Sequence, residues 1–353
     1  MSMNRKTLER DFATPTTSPW KTFVLEAHPN GHSAGEFLTD VFGRSAVSTT
    51  DDVHLHTVRL DSGSSVVVDS LDGRFWSFHS TAQAQEMSRF LRARVTARPD
   101  LDQVWLPSAH LRNLYPGVRP KFVKTDFRGW DMLSPDSVHD LSLTARGTNI
   151  DRLLDLIGHD KGSEHAVSID RMGVAIVDPE YGYVDEAANR FAQFVATGDS
   201  FALHQHVVSD VLARYRSFVE AAEANAIRFD SYEQGGGTVG GAPIEIALSR
   251  PLPALRSFMH QLLSSREPFR LWGLVDGDDD FVECDVVDLH VGHQLRIEAS
   301  PQLIRVHLRS GCCGNSLARL VANLQHHVDG ALQLVDPALN DLMTLDRRLV
   351  PAG

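Results

Sequence analysis

The strongest constraint on the fold lies in one stretch, Phe269 to Leu334, where the hydrophobic period changes once. Val282, Cys284 and Val286 alternate with Glu283 and Asp285, and Leu295, Ile297 and Ala299 alternate with Arg296 and Glu298. A period of two predicts strands with one wet face. Ile304, Val306 and Leu308 continue the pattern, leaving Arg305, His307 and Arg309 on the other face to meet those acids across strands. Leu317, Leu320, Val321, Leu324, Val328, Ala331, Leu332 and Val335 then recur at three and four residues. That spacing predicts a helix of about five turns with one apolar stripe. Sheet and helix bury these faces against each other.

Two earlier stretches follow the same order of elements. Lys21 to Ala27 predicts a strand, HPNGHS a turn, and Ala34 to Phe42 a short helix. Val53 to Leu60, Ser64 to Ser70 and Arg74 to His79 follow as strands separated by DSG and LDG turns, and Gln83 to Val95 as a helix. Further on, Asp140 to Arg146 reads as a strand and Asn149 to Ile157 as a helix. Glu164 to Asp170, Met172 to Asp178 and Arg190 to Ala196 read as strands, and Phe201 to Ala224 as a long helix. After the run QGGGTVGGAP, Pro243 to Ser249 is a predicted strand and Leu252 to Leu263 a predicted helix, with Pro253 in its first turn.

The expected class is therefore α+β, with three pseudo-repeated β-α-β-β-β-α units, mainly antiparallel sheets and packed helices. The units span 20–97, 139–226 and 227–335. A connector punctuated by Pro99, Pro107, Pro116, Pro120 and Pro135 fills 98–138, and 336–353 is a C-terminal tail. Residues 1–19, rich in Thr, Ser, Pro and charge, are expected to be disordered. The order of elements is similar to that of the vicinal oxygen chelate enzymes, and the acidic three-unit outline is similar to bacterial sliding clamps. Neither resemblance carries residues over.

Composition narrows the partners. The net charge of −12 argues against a nucleic-acid or anionic-membrane binder that works by bulk electrostatics, because such binding needs Lys and Arg to neutralise phosphates. No apolar run approaches a membrane span, and the N-terminus has no apolar core of signal-peptide length. Only three cysteines occur, Cys284, Cys312 and Cys313, which fits a reducing compartment and predicts a cytoplasmic protein.

The sharpest candidate for binding chemistry is the loop from Arg309 to Ser316, between the last strand and the last helix. A glycine-bearing turn that hands over to a helix aims free N–H groups and a positive dipole end at one point, which suits a phosphate or carboxylate. Arg309, Gly311, Gly314, Asn315 and Ser316 are its candidate ligand-binding residues. The run lacks the Gly-Lys-Ser/Thr end of a P-loop. It resembles, out of register, the Arg-x-x-Gly-x-Gly loop with which acetyltransferases hold coenzyme A, and that resemblance implies a nucleotide or acyl-coenzyme A ligand. The structural alternative is a tight turn at Gly311 and Gly314 with Asn315 or Ser316 as helix cap.

Seventeen histidines raise the question of metal. Asp288, His290 and His293 fall at a predicted hairpin, and His54 and His56 at i and i+2 of a strand share a face. Neither group is a complete ligand set within one segment, and no catalytic set is assignable from spacing, since such partners meet only in three dimensions. The leading expectation is a non-catalytic cytoplasmic binding or scaffold protein that acts on a protein partner through a sheet face or strand edge. The alternatives are an enzyme or sensor for a small anionic ligand at 309–316 and a metal-dependent enzyme.

Overall fold

A computed structural model describes residues 3–14, 18–115, 117–129, 140–158, 164–231, 236–264 and 268–345. Pro116 and Pro135 of the expected connector, residues 1–2 and 15–17 of the N-terminal segment, residues 234–235 of the glycine run and the end of the tail from 346 lie outside these. The α+β class holds, and the strand pairs within the sheets are mainly antiparallel. The chain divides into two compact units. One comprises Met1–Val104, Leu114–Phe122 and Arg171–Leu212, and the other Trp105–Asn113, Val123–Asp170 and Ala213–Gly353. This division does not follow the three stretches expected from element order, because strands from the first two stretches share one sheet.

Among the described residues up to Arg112 the elements are α1 (Arg5–Ala13), β1 (Trp20–Ala27), α2 (Ala34–Phe42), β2 (Val47–Thr49), β3 (Leu55–Arg59), β4 (Ser65–Asp69), β5 (Phe75–Ser80), α3 (Ala84–Ala97), β6 (Leu101–Gln103) and α4 (Ser108–Arg112). Where composition predicts disorder, α1 forms, capped by the Asn4 side chain and holding Leu8 and Phe12 in the core. Two apolar residues on one face are enough to dock a short helix that would not persist alone. The bounds of α2 match the expected ones because Ser33 and Glu36 make a capping box at its start. β7 (Pro120–Arg128), β8 (Asp140–Arg146), α5 (Ile150–Gly158), β9 (Ile169–Asp178), β10 (Gly182–Asn189), β11 (Gln193–Gly198) and α6 (Phe201–Ala224) follow.

In the first unit the sheet order is β2-β3-β4-β5-β1-β11-β10-β9, with β6 also on β1. Every residue of β1 is buried, so both faces of the sheet are covered there. Phe23, Leu25 and Ala27 face a core shared with Phe37, Leu38, Trp76, Phe78, Met87 and Leu91 from α2, β5 and α3. Each large side chain in such a core contributes about 1.5–3 kcal/mol. The even-numbered residues Thr22, Val24 and Glu26 face the other way.

Two sequence expectations fail here. Residues 164–178 do not form two strands across a reversal: a short 3-10 turn at Glu164–Ala166 leads into β9, which runs straight through Asp170 and Arg171. Arg190 to Ala196 is not one strand either. A turn at 190–192 joins β11 to β10, a strand the pattern hides because a glutamate, Glu186, occupies its buried face between Val184 and Ala188.

The second unit contains β12 (Arg228–Ser231), β13 (Gly237–Gly240), β14 (Ile244–Ala247), α7 (Leu255–Ser264), β15 (Phe269–Leu271), β16 (Asp276–Gly277), β17 (Val282–Asp288), β18 (Gln294–Ser300), β19 (Leu303–Leu308), α8 (Asn315–His327), β20 (Gln333–Leu334) and α9 (Pro337–Thr344). Pro253 therefore precedes α7 instead of lying in its first turn. The sheet order is β15-β17-β18-β19-β14-β20, with β16 beside β17. The two-residue period is realised: Val282, Cys284, Val286, Leu295, Ile297, Ala299, Ile304, Val306 and Leu308 are all buried. On the wet face Arg305 lies opposite Glu298, Arg309 meets Asp285 at 3.3 Å, and His307 meets Glu298 at 3.3 Å. The closing helix is shorter than its stripe. It ends at His327, and β20 returns to pair with β14, while α9 forms within the expected tail.

Candidate functional site

Asp288 is the place where the sheet pattern of the second unit turns to chemistry. It continues the inward phase of Val282, Cys284 and Val286, so β17 carries a fully buried carboxylate into an apolar layer. A charge in that position requires a partner. Arg319, from the middle of α8 and itself buried, pairs with both carboxylate oxygens, and the Ser316 hydroxyl donates to Asp288 Oδ2 at 2.7 Å. The Arg319 guanidinium also lies over the Trp105 ring at 5.8 Å. The other polar residues on α8 are likewise engaged: Asn315 with the Tyr215 hydroxyl, and Gln325 with the Ser108 N–H at 3.1 Å. The helix is buried nearly all round, which its apolar stripe does not foretell.

Of the residues expected to bind an anion, Asn315 and Ser316 lie in the first turn of α8, with Gly314 as its N-cap. The donors at this helix start already have acceptors. The Gly314 N–H donates to Glu223 Oε1 at 2.9 Å, and the Cys313 N–H to His293 Nδ1 at 3.1 Å. Glu223, from the end of α6, thus occupies the position an anionic ligand would take. Arg309 stands apart on the surface, bonded to Gln294 at 2.7 Å and to Asp285.

The two glycines have separate reasons. Gly311 makes an open turn at φ +83°, whereas a Cβ on Gly314 would collide with the Val219 carbonyl of α6. Gly314→Ala is expected to destabilise by about 2–3 kcal/mol as α8 is forced off α6, and Gly311→Ala by about 1 kcal/mol through backbone strain alone. Urea denaturation of both variants checks the ranking, and the reverse order would refute this reading of the loop.

The metal candidates are not brought together as ligands. Asp288 is committed to Arg319, and its Oδ1 accepts the His290 N–H at 3.0 Å. His293 accepts from Cys313. His56 is buried on β3, where burial pushes its imidazole pKa down, while His54 lies exposed before the strand begins. Among the described residues, neither group gathers three ligand atoms around one point. A cleft of about 230 Å³ in the same unit is lined by Ser108, Arg112, Gln325 and Met343. Its arginine is paired with Asp155.

The first unit holds a polar cluster that sequence reading missed. Thr22 and His79 are direct cross-strand neighbours on β1 and β5, and Thr22 Oγ1 lies 2.8 Å from His79 Nδ1. The same hydroxyl lies 2.7 Å from His204 Nε2, and His204 Nδ1 lies 3.1 Å from Glu186 Oε1. Ala196, opposite Glu186 in the sheet, leaves the space through which His204 descends from α6. Phe12 stacks on His204 with ring centres 5.7 Å apart, and Phe201 meets His79 edge-on at 5.2 Å. Nearby, Arg5 of α1 clamps Asp69 with hydrogen bonds of 2.7 and 3.0 Å.

Electrostatics follow from burial. His79 is fully enclosed, and burial, with His204 beside it, pushes its pKa down to about 3. Burial likewise raises the Glu186 carboxyl above its ordinary value, against the pull of His204. Burial also lifts Asp69, but the Arg5 hydrogen bonds, the Leu71 N–H and the Arg5 charge together outweigh it and hold that carboxyl below the usual range. Carboxylate, imidazole and hydroxyl stand in the order of a nucleophile triad. With all four side chains buried, the network as it stands ties α6 to the sheet. The signal that marks it in sequence is Glu186 itself, a carboxylate in phase with buried residues on both sides.

A third feature is exposed instead of buried. β12 and β13 form a separate two-stranded sheet whose β12 residues are all exposed. Phe229 and Val239 lie directly opposite each other and are 66% and 70% exposed. Trp272 and Leu274, also in this unit, are exposed large apolar side chains as well. Among the described residues no helix is long and apolar enough to cross a membrane.

Comparison with known proteins gives two findings. The family model described as MJECL33-like protein matches residues 4–343. The uncharacterized protein MJECL33 of Methanocaldococcus jannaschii is 22% identical over 360 residues, covering 89% of this chain and 86% of the archaeal one.

Proposed function

This chain belongs to the family of MJECL33-like proteins, and we propose that it is a cytoplasmic binding or scaffold protein that works through protein contacts. The observation that carries this reading is the β12–β13 hairpin, which presents Phe229 and Val239 side by side to solvent. Apolar side chains held at that exposure on a two-stranded arm lose nothing in the monomer by being covered, and they gain on contact. Burial of the most enzyme-like group, Glu186 with His204 and Thr22, favours contact over catalysis as the use of this fold. Cytoplasmic placement is supported by three free, buried cysteines.

The test is saturable capture. Immobilised protein is expected to take a partner from a lysate of its native source at fixed stoichiometry, competed by soluble native chain. The Phe229→Asp, Val239→Asp double variant is expected to compete at least tenfold less well, with an unchanged circular dichroism spectrum. Equal competition by the variant would remove the hairpin as the contact surface.

A further inference from the structure

The hairpin's own chemistry identifies one partner. We infer that β12 pairs with β12 of a second copy of this chain about a two-fold axis at Phe229; this rests on the reading of the hairpin as a contact surface. β12 pairs with β13 along one edge, and among the described residues no strand lies along the other edge of Arg228–Ser231. The direction of its backbone groups is fixed at Ile227. Its N–H donates to the Leu308 carbonyl at 2.8 Å, and its carbonyl accepts the Ser310 N–H at 3.0 Å, both on the side away from β13. Backbone groups alternate along a strand, so those of Arg228 and Asp230 point to β13 and those of Phe229 point outward.

An outward-pointing residue is what an antiparallel two-fold needs at its centre. Phe229 of one copy then exchanges both N–H···O bonds with Phe229 of the other. In that register position 228 stands opposite position 230 of the other copy, so each Arg228 meets an Asp230 and each Asp230 an Arg228. The edge is complementary to itself in charge as well as in backbone, as an isologous contact must be. Within one copy Arg228 and Asp230 already share a face, 3.3 Å apart and exposed, and are available to exchange partners. Placing a second copy here also sets the exposed Phe229 beside its counterpart on one face of the joined sheet. The bridge at Ile227 limits the pairing to residues 228–230, which makes a small, concentration-dependent contact.

Charge reversal and cross-linking test this register. Arg228→Asp alone places acid opposite acid, and Asp230→Arg alone places base opposite base. Each variant is expected to sediment as a monomer, and an equimolar mixture of the two to show twice the monomer mass. Phe229→Cys is expected to oxidise to a covalent dimer, because hydrogen-bonded cross-strand pairs lie about 5.5 Å apart at Cα, within disulfide reach. Ser231→Cys, which faces Ile227 in this register, is expected not to cross-link. The native cysteines are buried and contribute little background.

A Phe229→Cys chain that stays monomeric on oxidation, or a mixture of the two charge variants no heavier than either alone, overturns the inference. A native chain that remains monomeric at about 1 mM also overturns it. If the hairpin variant still loses its lysate partner in that case, the contact reading stands without self-pairing. A native dimer that captures no other protein has the converse meaning.

Discussion

Asp288→Ala is expected to lower the stability of the chain by about 3–5 kcal/mol, the ordinary consequence of stranding one member of a buried ion pair. Arg319 would be left charged beneath α8, with the Ser316 hydroxyl also deprived of its acceptor. The paired substitution Asp288→Leu, Arg319→Met removes both charges and is expected to recover most of that loss, because desolvating two ions offsets much of their attraction. Urea denaturation followed by circular dichroism measures both effects. A loss under about 1 kcal/mol in the single variant would mean that water reaches Arg319 and that the pair is not buried in solution.

The second large effect is acid sensitivity. Burial pushes His79 down to about 3, and it pushes His110, whose Nε2 lies 2.8 Å from the Leu342 carbonyl, down to about 4. Between those values and the unfolded value of 6.5 the unfolded chain binds these protons and the native chain does not. The contribution of these two rings to stability is therefore present above pH 6.5 and falls as pH drops through this window. Glu186 acts in the opposite sense. Its carboxyl is raised above 4.5, so its contribution is present at low pH and is lost as pH rises through the folded value.

The two fully enclosed histidines against one carboxyl leave a net uptake of one to two protons on unfolding, worth about 1.4 kcal/mol per pH unit each, and His56, also lowered by burial, adds in the same sense. From pH 6.5 to 4.5 the expected loss is about 3–5 kcal/mol. His110→Leu should reduce the slope by close to one proton, and His79→Leu likewise. A flat profile over that window, or unchanged slopes in both variants, would contradict the burial of these rings.

How much of this was legible depends on whether a residue's role is set along the chain or across it. Ser33 and Glu36 fix the start of α2 by bonds three residues apart, and the sequence shows them as plainly as the structure does. The alternation from Val282 to Leu308 shows in the same way, since each strand face is written at a period of two. Arg319 was hidden because a helix's apolar stripe says nothing of a polar residue buried on another side. Glu186 was hidden because it breaks the alternation that identifies a strand, and its justification, His204, lies 18 residues on in a different element. The loop from Arg309 to Ser316 is a helix start with glycines, as its residues predict, but the cap is Gly314 and not Asn315 or Ser316. That Glu223 already satisfies it depends on α6 lying alongside, a contact with 91 residues between its ends.

The sequence by itself determined the α+β class, the antiparallel strands of the closing sheet, the bounds of α2 and α6, and the inward phase that carries Asp288. Those follow from side-chain period and local capping, which act over a few residues. Only the tertiary structure decided which polar residues are enclosed, which helix ends are satisfied from within, and that among the described residues no strand lies along the second edge of β12. Burial and pairing are settled by segments far apart in the chain, and the energy of a charge or a strand edge depends on what those segments bring beside it.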